Sequence, residues 1–298
     1  MVKRDGHYES ICQTPLRKSI EMNTPDSPWQ AWYGNQALPT PDAPLCLAFD
    51  GPLARLLINR PEVRNAMNES MWDLLLQHVQ TIAAAPQIKA VLVEAAGTKA
   101  FCAGADMSEF AQVYATPERT RVYNAKVQQA QIALERLAKP TLAMVQGACV
   151  GGGCGIALAC DVRVVAQDAR LGITPSKIGA AYSLSDTRRL VALVGPARAK
   201  DMLFSGRLLD SEEALHVGLV DRRCDSAQLA EVARACIEPW LSNSSHSIAH
   251  TKRSILSIAG IAPQTDADLQ AGFENCFAGP DFAEGYAAFL AKRPPRFE

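Results

Sequence analysis

The sequence predicts an α/β fold built on a largely parallel sheet, and three observations predict it. Short apolar runs alternate with longer segments whose apolar residues recur at helical spacing, which is the pattern of strands joined by helical crossovers. The run Ala90 to Val93 is apolar throughout and suits a strand covered on both faces. From Ser226 onward the pattern is almost wholly helical. The 298 residues, 48% hydrophobic and 20% charged, are enough to bury a substantial core. A net charge of −1 offers no global attraction for nucleic acid or an anionic membrane.

Composition and patterning divide the chain into three parts. Residues 1–44 mix charges with prolines such as Pro15, Pro25, Pro28 and Pro39 and read as an extended or disordered arm. Residues 45–225 carry the strand and helix alternation, and 226–298 form a helical C-terminal subdomain. Nine cysteines without C-x-x-C spacing argue against a disulfide framework or a zinc site. Reduced thiols and the lack of a secretory or transit signal lead us to expect a cytoplasmic protein.

Taken in order, Leu45 to Phe49 and Ala54 to Ile58 are strands around the turn Asp50-Gly51-Pro52. Asn68 caps a helix bearing Met71, Leu75, Val79 and Ile82. After the strand at Ala90 comes a small-residue loop, Cys102 to Met107, and then a helix from Thr116-Pro117, with Thr as cap and Pro at the first position. The strand Thr141 to Val145 feeds Gly147-Ala148-Cys149-Val150-Gly151-Gly152-Gly153-Cys154-Gly155. A further strand is expected at Val162 to Val165, an irregular segment through Pro175 and Gly179, and helices from about Leu184, Pro196 and Ser211.

The uncharged run Thr141 to Cys160 is long enough to span a membrane. Five glycines in it, four of them in its second half, each costing about 1 kcal/mol inside a helix, instead indicate a strand, a glycine turn and a short helix. A helix start of that kind presents backbone N–H donors to an anion or a polarised oxygen. The stretch lacks the Lys-Ser/Thr ending of a P-loop, and no G-x-G-x-x-G register fits it. His246 and His250 lack the intervening Glu of a zinc protease, and Cys102 has no histidine near it in sequence. What survives is two glycine-containing strand-to-helix loops, Cys102 to Met107 and Val150 to Cys154, whose N–H groups can converge on one carbonyl oxygen. Two tight turns in a packed core would read the same way.

The chain resembles the crotonase superfamily, also called the enoyl-CoA hydratase/isomerase family. The resemblance runs through Asn59-Arg60-Pro61 with Asn65-Ala66-Met67, Ala103-Gly104-Ala105-Asp106, Gly147 to Gly153, Cys160-Asp161 and Phe289-Leu290-Ala291-Lys292-Arg293. It implies an α/β crotonase-like spiral of repeated ββα units with a helical C-terminal trimerisation region, assembled as a homotrimer or a dimer of trimers. It also implies an acyl-CoA thioester as ligand, with coenzyme A part of the substrate and no separate cofactor. The thioester carbonyl would be held by the N–H groups of Ala105 and Gly152. The segments Val63, Arg64 to Ala66 and Ala103, Gly104 to Asp106 would border the CoA, together with Met107 and Gly151. Phe289 and Lys292 would reach its adenine and phosphate, in a neighbouring subunit if not in the same one.

Two positions depart from the family pattern. Hydratases of this kind activate water with two glutamates, and the resemblance puts Gly155 and Pro175 at those places. Neither residue transfers a proton, so ordinary two-glutamate hydration and isomerisation by the second glutamate lack their groups. The segment Thr174-Pro175 to Gly179-Ala180-Ala181-Tyr182 is similar to that of methylmalonyl-CoA decarboxylase, where the tyrosine faces the acyl group. Against this, that enzyme has His in place of Ala105 and retains the first glutamate. Tyr182 and Asp186 are thus the candidate proton-handling residues. The position of Asp186 also suits the first turn of a helix, where the dipole favours a carboxylate. Hydration, isomerisation, decarboxylation, hydrolysis and binding without turnover all stay open.

Overall fold

A computed structural model describes residues 43–297 of the chain. The expected arm, residues 1–44, lies almost entirely outside the described residues. Strands β1 (Leu45–Asp50) and β2 (Leu53–Ile58) pair antiparallel around Gly51, whose φ of +54° suits a residue without Cβ. Asn68 caps α1 (Glu69–Ala84) by accepting the Met71 N–H at 3.0 Å. The helix buries Met71, Trp72, Leu75, Val79 and Ile82, the stripe that its spacing predicts.

A spiral follows. In its first turn β3 (Ala90–Ala95) leads through β4 (Ala100–Cys102) to α2 (Phe110–Val113) and α3 (Pro117–Arg136). In the second, β5 (Thr141–Val145) leads through β6 (Ala148–Val150) to α4 (Gly152–Ala159). In the third, β7 (Val162–Ala166) leads through β8 (Arg170–Gly172) to α5 (Leu184–Ser205). Strand β9 (Leu208–Asp210), α6 (Ser211–His216) and β10 (Arg222–Cys224) complete this part.

Each turn places its first strand in one sheet and its second in another. The larger sheet has the order β1-β2-β3-β5-β7-β10 and the smaller β4-β6-β8-β9. Pairing is parallel except for β1 with β2 and β8 with β9. The smaller sheet is absent from the sequence reading because its strands are three residues long, too short to show a period of two. The helices expected at Leu184 and Pro196 run on as α5, broken at Gly195, whose φ of 75° and ψ of 165° are not helical.

Helices α7 (Leu229–Ser242), α8 (Ser245–Ile258), α9 (Asp266–Ala278) and α10 (Pro280–Leu290) follow. Of these, α7 packs on β3, β5 and β7 and closes one face of the larger sheet. Beyond it, Ile255, Ile258, Phe273, Phe277, Phe282, Tyr286 and Phe289 expose large apolar side chains. The architecture is the expected mixed α/β spiral with a helical C-terminal region. Among the described residues no helix is long and apolar enough to cross a membrane.

Candidate active site

Asn65 builds the first loop from beneath. It is fully buried at φ +58° and its side chain accepts the Arg60 N–H at 2.8 Å. Its amide donates to the carbonyls of Ala96 at 2.9 Å and Ala100 at 2.7 Å. The chain before α1 is thereby fastened to the ends of β3 and β4. Met67 next forms a parallel bridge with Ala105, donating to Gly104 O and accepting from Asp106 N–H, both at 2.8 Å. In such a bridge the intervening N–H points to the opposite side. The Ala105 N–H therefore faces away from Met67.

The second loop is β6 turning into α4. Gly151 makes the turn at φ +53° and donates to Gly172 O at 2.9 Å, and α4 begins at Gly152. The first N–H groups of a helix have no acceptor within it, and they stand at the positive end of its dipole. Among the described residues neither Ala105 N–H nor Gly152 N–H donates to a protein acceptor.

The loops approach closely because they lack side chains. A Cβ placed on Gly152 would lie 3.7 Å from Ala105 N and 3.3 Å from the buried Trp72 ring; one on Gly104 would lie 3.6 Å from Gly152 N. A Cβ on Gly153 would overlap the Cys102 carbonyl. The result is two unpartnered donors side by side, which is the geometry that stabilises a developing oxyanion.

The residues expected to border a CoA are distributed unevenly. Val63 is exposed, Arg64 sits at φ +55° with its carbonyl accepting from Ala103 N–H at 3.0 Å, and Ala66 is buried. Gly104 is buried behind the loop, whereas Met107 is 63% exposed at its rim. The Asp106 carboxylate is taken up within the protein by Arg60 at 2.9 Å and by the Ser108 hydroxyl at 2.7 Å. Those bonds, with Ser108 foremost, hold it below the usual carboxylate range. Phe289, 79% exposed, lines a cavity of about 410 Å³ with Phe277, Phe282 and Tyr286, and Lys292 follows α10 at φ +53°. The structure thus groups Val63 to Asp106 with Gly151 and Gly152, and keeps Phe289 with the C-terminal aromatic side chains.

Beside α4, Gly155 abuts a buried polar cluster. A Cβ there would come within 3.1 Å of an Asp186 carboxyl oxygen and would overlap the amide of Gln131. Asp186 does lie in the first turn of α5, yet the residue is 4% exposed and its side chain points inward. It accepts from the Ser183 hydroxyl at 2.7 Å and from Arg189 at 2.8 Å, and the other arm of Arg189 forms a two-point bond with Glu135 at 2.7 and 2.9 Å. Burial, more than the nearby Glu135 charge, pushes the Asp186 carboxyl up from its usual value despite Ser183 and Arg189. The Tyr182 hydroxyl is buried without a hydrogen-bond partner among the described residues, and burial followed by the Asp186 charge pushes it upward too. Pro175 opens a short 3₁₀ turn and shares a cavity of about 260 Å³ with Tyr182 and Thr187.

Cys102 is fully buried, and burial holds its thiol up to about 12, far from a nucleophilic thiolate at neutral pH. Among the described residues no group of His, Cys, Asp and Glu is placed to hold a metal. Sequence reasoning missed Gln131, Glu135 and Arg189. The available signal was Gln131 and Glu135 at i, i+4 within the apolar stripe Ala130 and Leu134 of α3. Polar residues on a buried helix face call for partners.

The enoyl-CoA hydratase/isomerase family profile matches residues 49–298 of the chain. The crotonyl-CoA hydratase of Syntrophomonas wolfei is 33% identical over 261 residues, 85% of this chain and 97% of that protein. The short-chain-enoyl-CoA hydratase of Clostridium acetobutylicum is 32% identical over 253 residues, covering 83% and 94%. Among solved structures, an enoyl-CoA hydratase/isomerase family protein from Hyphomonas neptunium shares 41% identity at a TM-score of 0.83, covering 86% of this chain and 98% of that one.

Proposed function

The chain belongs to the enoyl-CoA hydratase/isomerase family and is an acyl-CoA-processing enzyme; from that premise we propose that it stabilises a thioester enolate between the N–H groups of Ala105 and Gly152. The observation that carries this reading is the convergence of the two unpartnered donors across Gly104 and Gly152. One such donor contributes about 3 kcal/mol to a transition state in which charge develops on the oxygen. Val63, Arg64, Ala66, Ala103, Gly104, Met107 and Gly151 border the CoA in this reading, and Asp106 braces the loop through Arg60 and Ser108.

With Gly155 and Pro175 where hydratases carry glutamates, the water-holding carboxylate pair is missing. Proton handling falls to Asp186, which stands beside Gly155, and to Tyr182, whose hydroxyl feels the Asp186 charge. The unpartnered Tyr182 hydroxyl favours a second reading, decarboxylation of a carboxyacyl-CoA, in which that hydroxyl meets the acyl group's polar end. The exposed aromatic face of α9 and α10 serves as the trimer contact.

The test is mass spectrometry after incubation with crotonyl-, 3-enoyl-, malonyl- and methylmalonyl-CoA. Added water, double-bond migration or loss of carbon dioxide from any of them is the expected outcome and assigns the reaction. An unchanged panel would overturn the catalytic reading in favour of a non-catalytic acyl-CoA binder.

A further inference from the structure

We propose that Asp186 is the proton-transfer group of this site and that Gln131 is the residue that positions it, the carboxyl arriving from α5 in the space that a side chain at Gly155 would fill. The inference rests on the enolate reading above.

Gly155 stands three residues after Gly152 in α4, so both lie on one face of the helix, about 5–6 Å apart. A carboxyl placed beside Gly155 is therefore one helical turn from the proposed oxyanion donor. Its surroundings are unusual for a purely structural ion pair. Asp186 and Glu135 share the single guanidinium of Arg189, and all three side chains are buried. Fully ionised, the group carries one uncompensated negative charge away from water, a costly arrangement. A proton taken up there removes that excess.

Gln131 accommodates both states. With its amide turned to donate, its N–H₂ reaches the two Asp186 oxygens at 2.8 and 3.2 Å and serves the carboxylate. Turned about, its carbonyl oxygen takes that place and accepts the O–H of a protonated Asp186 across the same 2.8 Å. An amide can exchange donor for acceptor by rotating in place. The groups facing Asp186 are Arg189 on its own element, Ser183 at that helix's cap, Gln131 and Glu135 from α3, and Tyr182 from the preceding loop.

In the proposed step the Asp186 carboxylate takes the proton from the carbon next to the thioester. The C–H electron pair passes into the enolate, whose oxygen is bonded by Ala105 and Gly152. Return of the proton to carbon restores both.

The experiment uses the full chain and butyryl-CoA in deuterium oxide, reading deuterium incorporation at the α-carbon by mass spectrometry. Wild type exchanges, and Asp186→Asn loses exchange by about 10²- to 10⁴-fold. Gln131→Met keeps the volume but removes the amide: the rate falls, and the acid limb of its pH profile moves upward because the carboxylate loses donors. A merely structural role would lower thermal stability without moving that limb. Exchange in wild type that persists in Asp186→Asn, or an unmoved limb in Gln131→Met, would overturn the proposal while leaving the oxyanion site standing. No exchange by wild type together with an unchanged acyl-CoA panel would overturn both.

Discussion

The Arg60 guanidinium donates to Asp106 at 2.9 Å while the same nitrogen donates to the Ala66 carbonyl at 2.8 Å. One side chain thus ties the turn before α1 to the residue after Ala105. The Asp106 carboxyl is held low by Ser108 and Arg60, so its folded value lies below its unfolded one. Such a group stabilises the fold above the unfolded value, about 3.9, and that contribution is lost as pH falls through the folded value. Asp106→Ala should cost about 1–3 kcal/mol at pH 7. Urea unfolding at a series of pH values should show this difference narrowing between about pH 5 and pH 3; a difference independent of pH would show that packing, not the carboxylate, is what was lost.

Asn65 is a stronger case because no water can replace its partners. Its side chain makes three hydrogen bonds, to Arg60 N–H, Ala96 O and Ala100 O, with no exposed surface. Asn65→Ala leaves those backbone groups unpaired and puts alanine at φ +58°. The expected loss is about 3 kcal/mol or more, read as a lowered urea midpoint at unchanged slope. Affinity for a CoA ester should fall with it, since the Arg64–Ala103 contact depends on this turn.

Both residues lie in motifs that the sequence displays, and the reason is local. Caps, turns and glycine loops are set by the geometry of a few consecutive residues, so Asn68, Thr116, Gly151 and the Gly195-Pro196 break are legible from the chain alone. The smaller sheet is not, because strands such as Ala148–Val150 are held by partners distant in sequence. The cluster beside Gly155 is hidden for the same reason. Gln131 and Asp186 meet only once α3, α4 and α5 have stacked. The family resemblance marks Gly155 as the place of a glutamate; the fold shows that the Asp186 carboxyl stands next to it.

Gly153 and Gly179 separate two reasons for glycine. At Gly153 a Cβ would overlap the Cys102 carbonyl and lie 2.6 Å from the Cys102 Cβ, so Gly153→Ala must push the loops apart. At Gly179 nothing lies within 4 Å, and only the φ of +73° resists a side chain. Gly179→Ala should cost about 1–2 kcal/mol. Gly153→Ala should cost about 1–3 kcal/mol through overpacking and in addition abolish turnover. Thermal unfolding and activity measured together check the pair: equal loss of activity in both variants would mean that loop separation is not what matters.

Gly155 offers a test in which the sign of an effect reverses. Its backbone is helical, so alanine there should gain about 1 kcal/mol over glycine from propensity alone. The added Cβ, however, overlaps the Gln131 amide and stands 3.1 Å from Asp186. In the wild-type background the clash should win, and Gly155→Ala should destabilise by about 1–2 kcal/mol. With Gln131→Ala the obstruction is gone, and the same substitution should become neutral or stabilising. Chemical denaturation of the four proteins gives the coupling, expected at about 2 kcal/mol between residues in contact. Additive effects would mean that Gln131 swings aside freely, and an amide that free could not position Asp186.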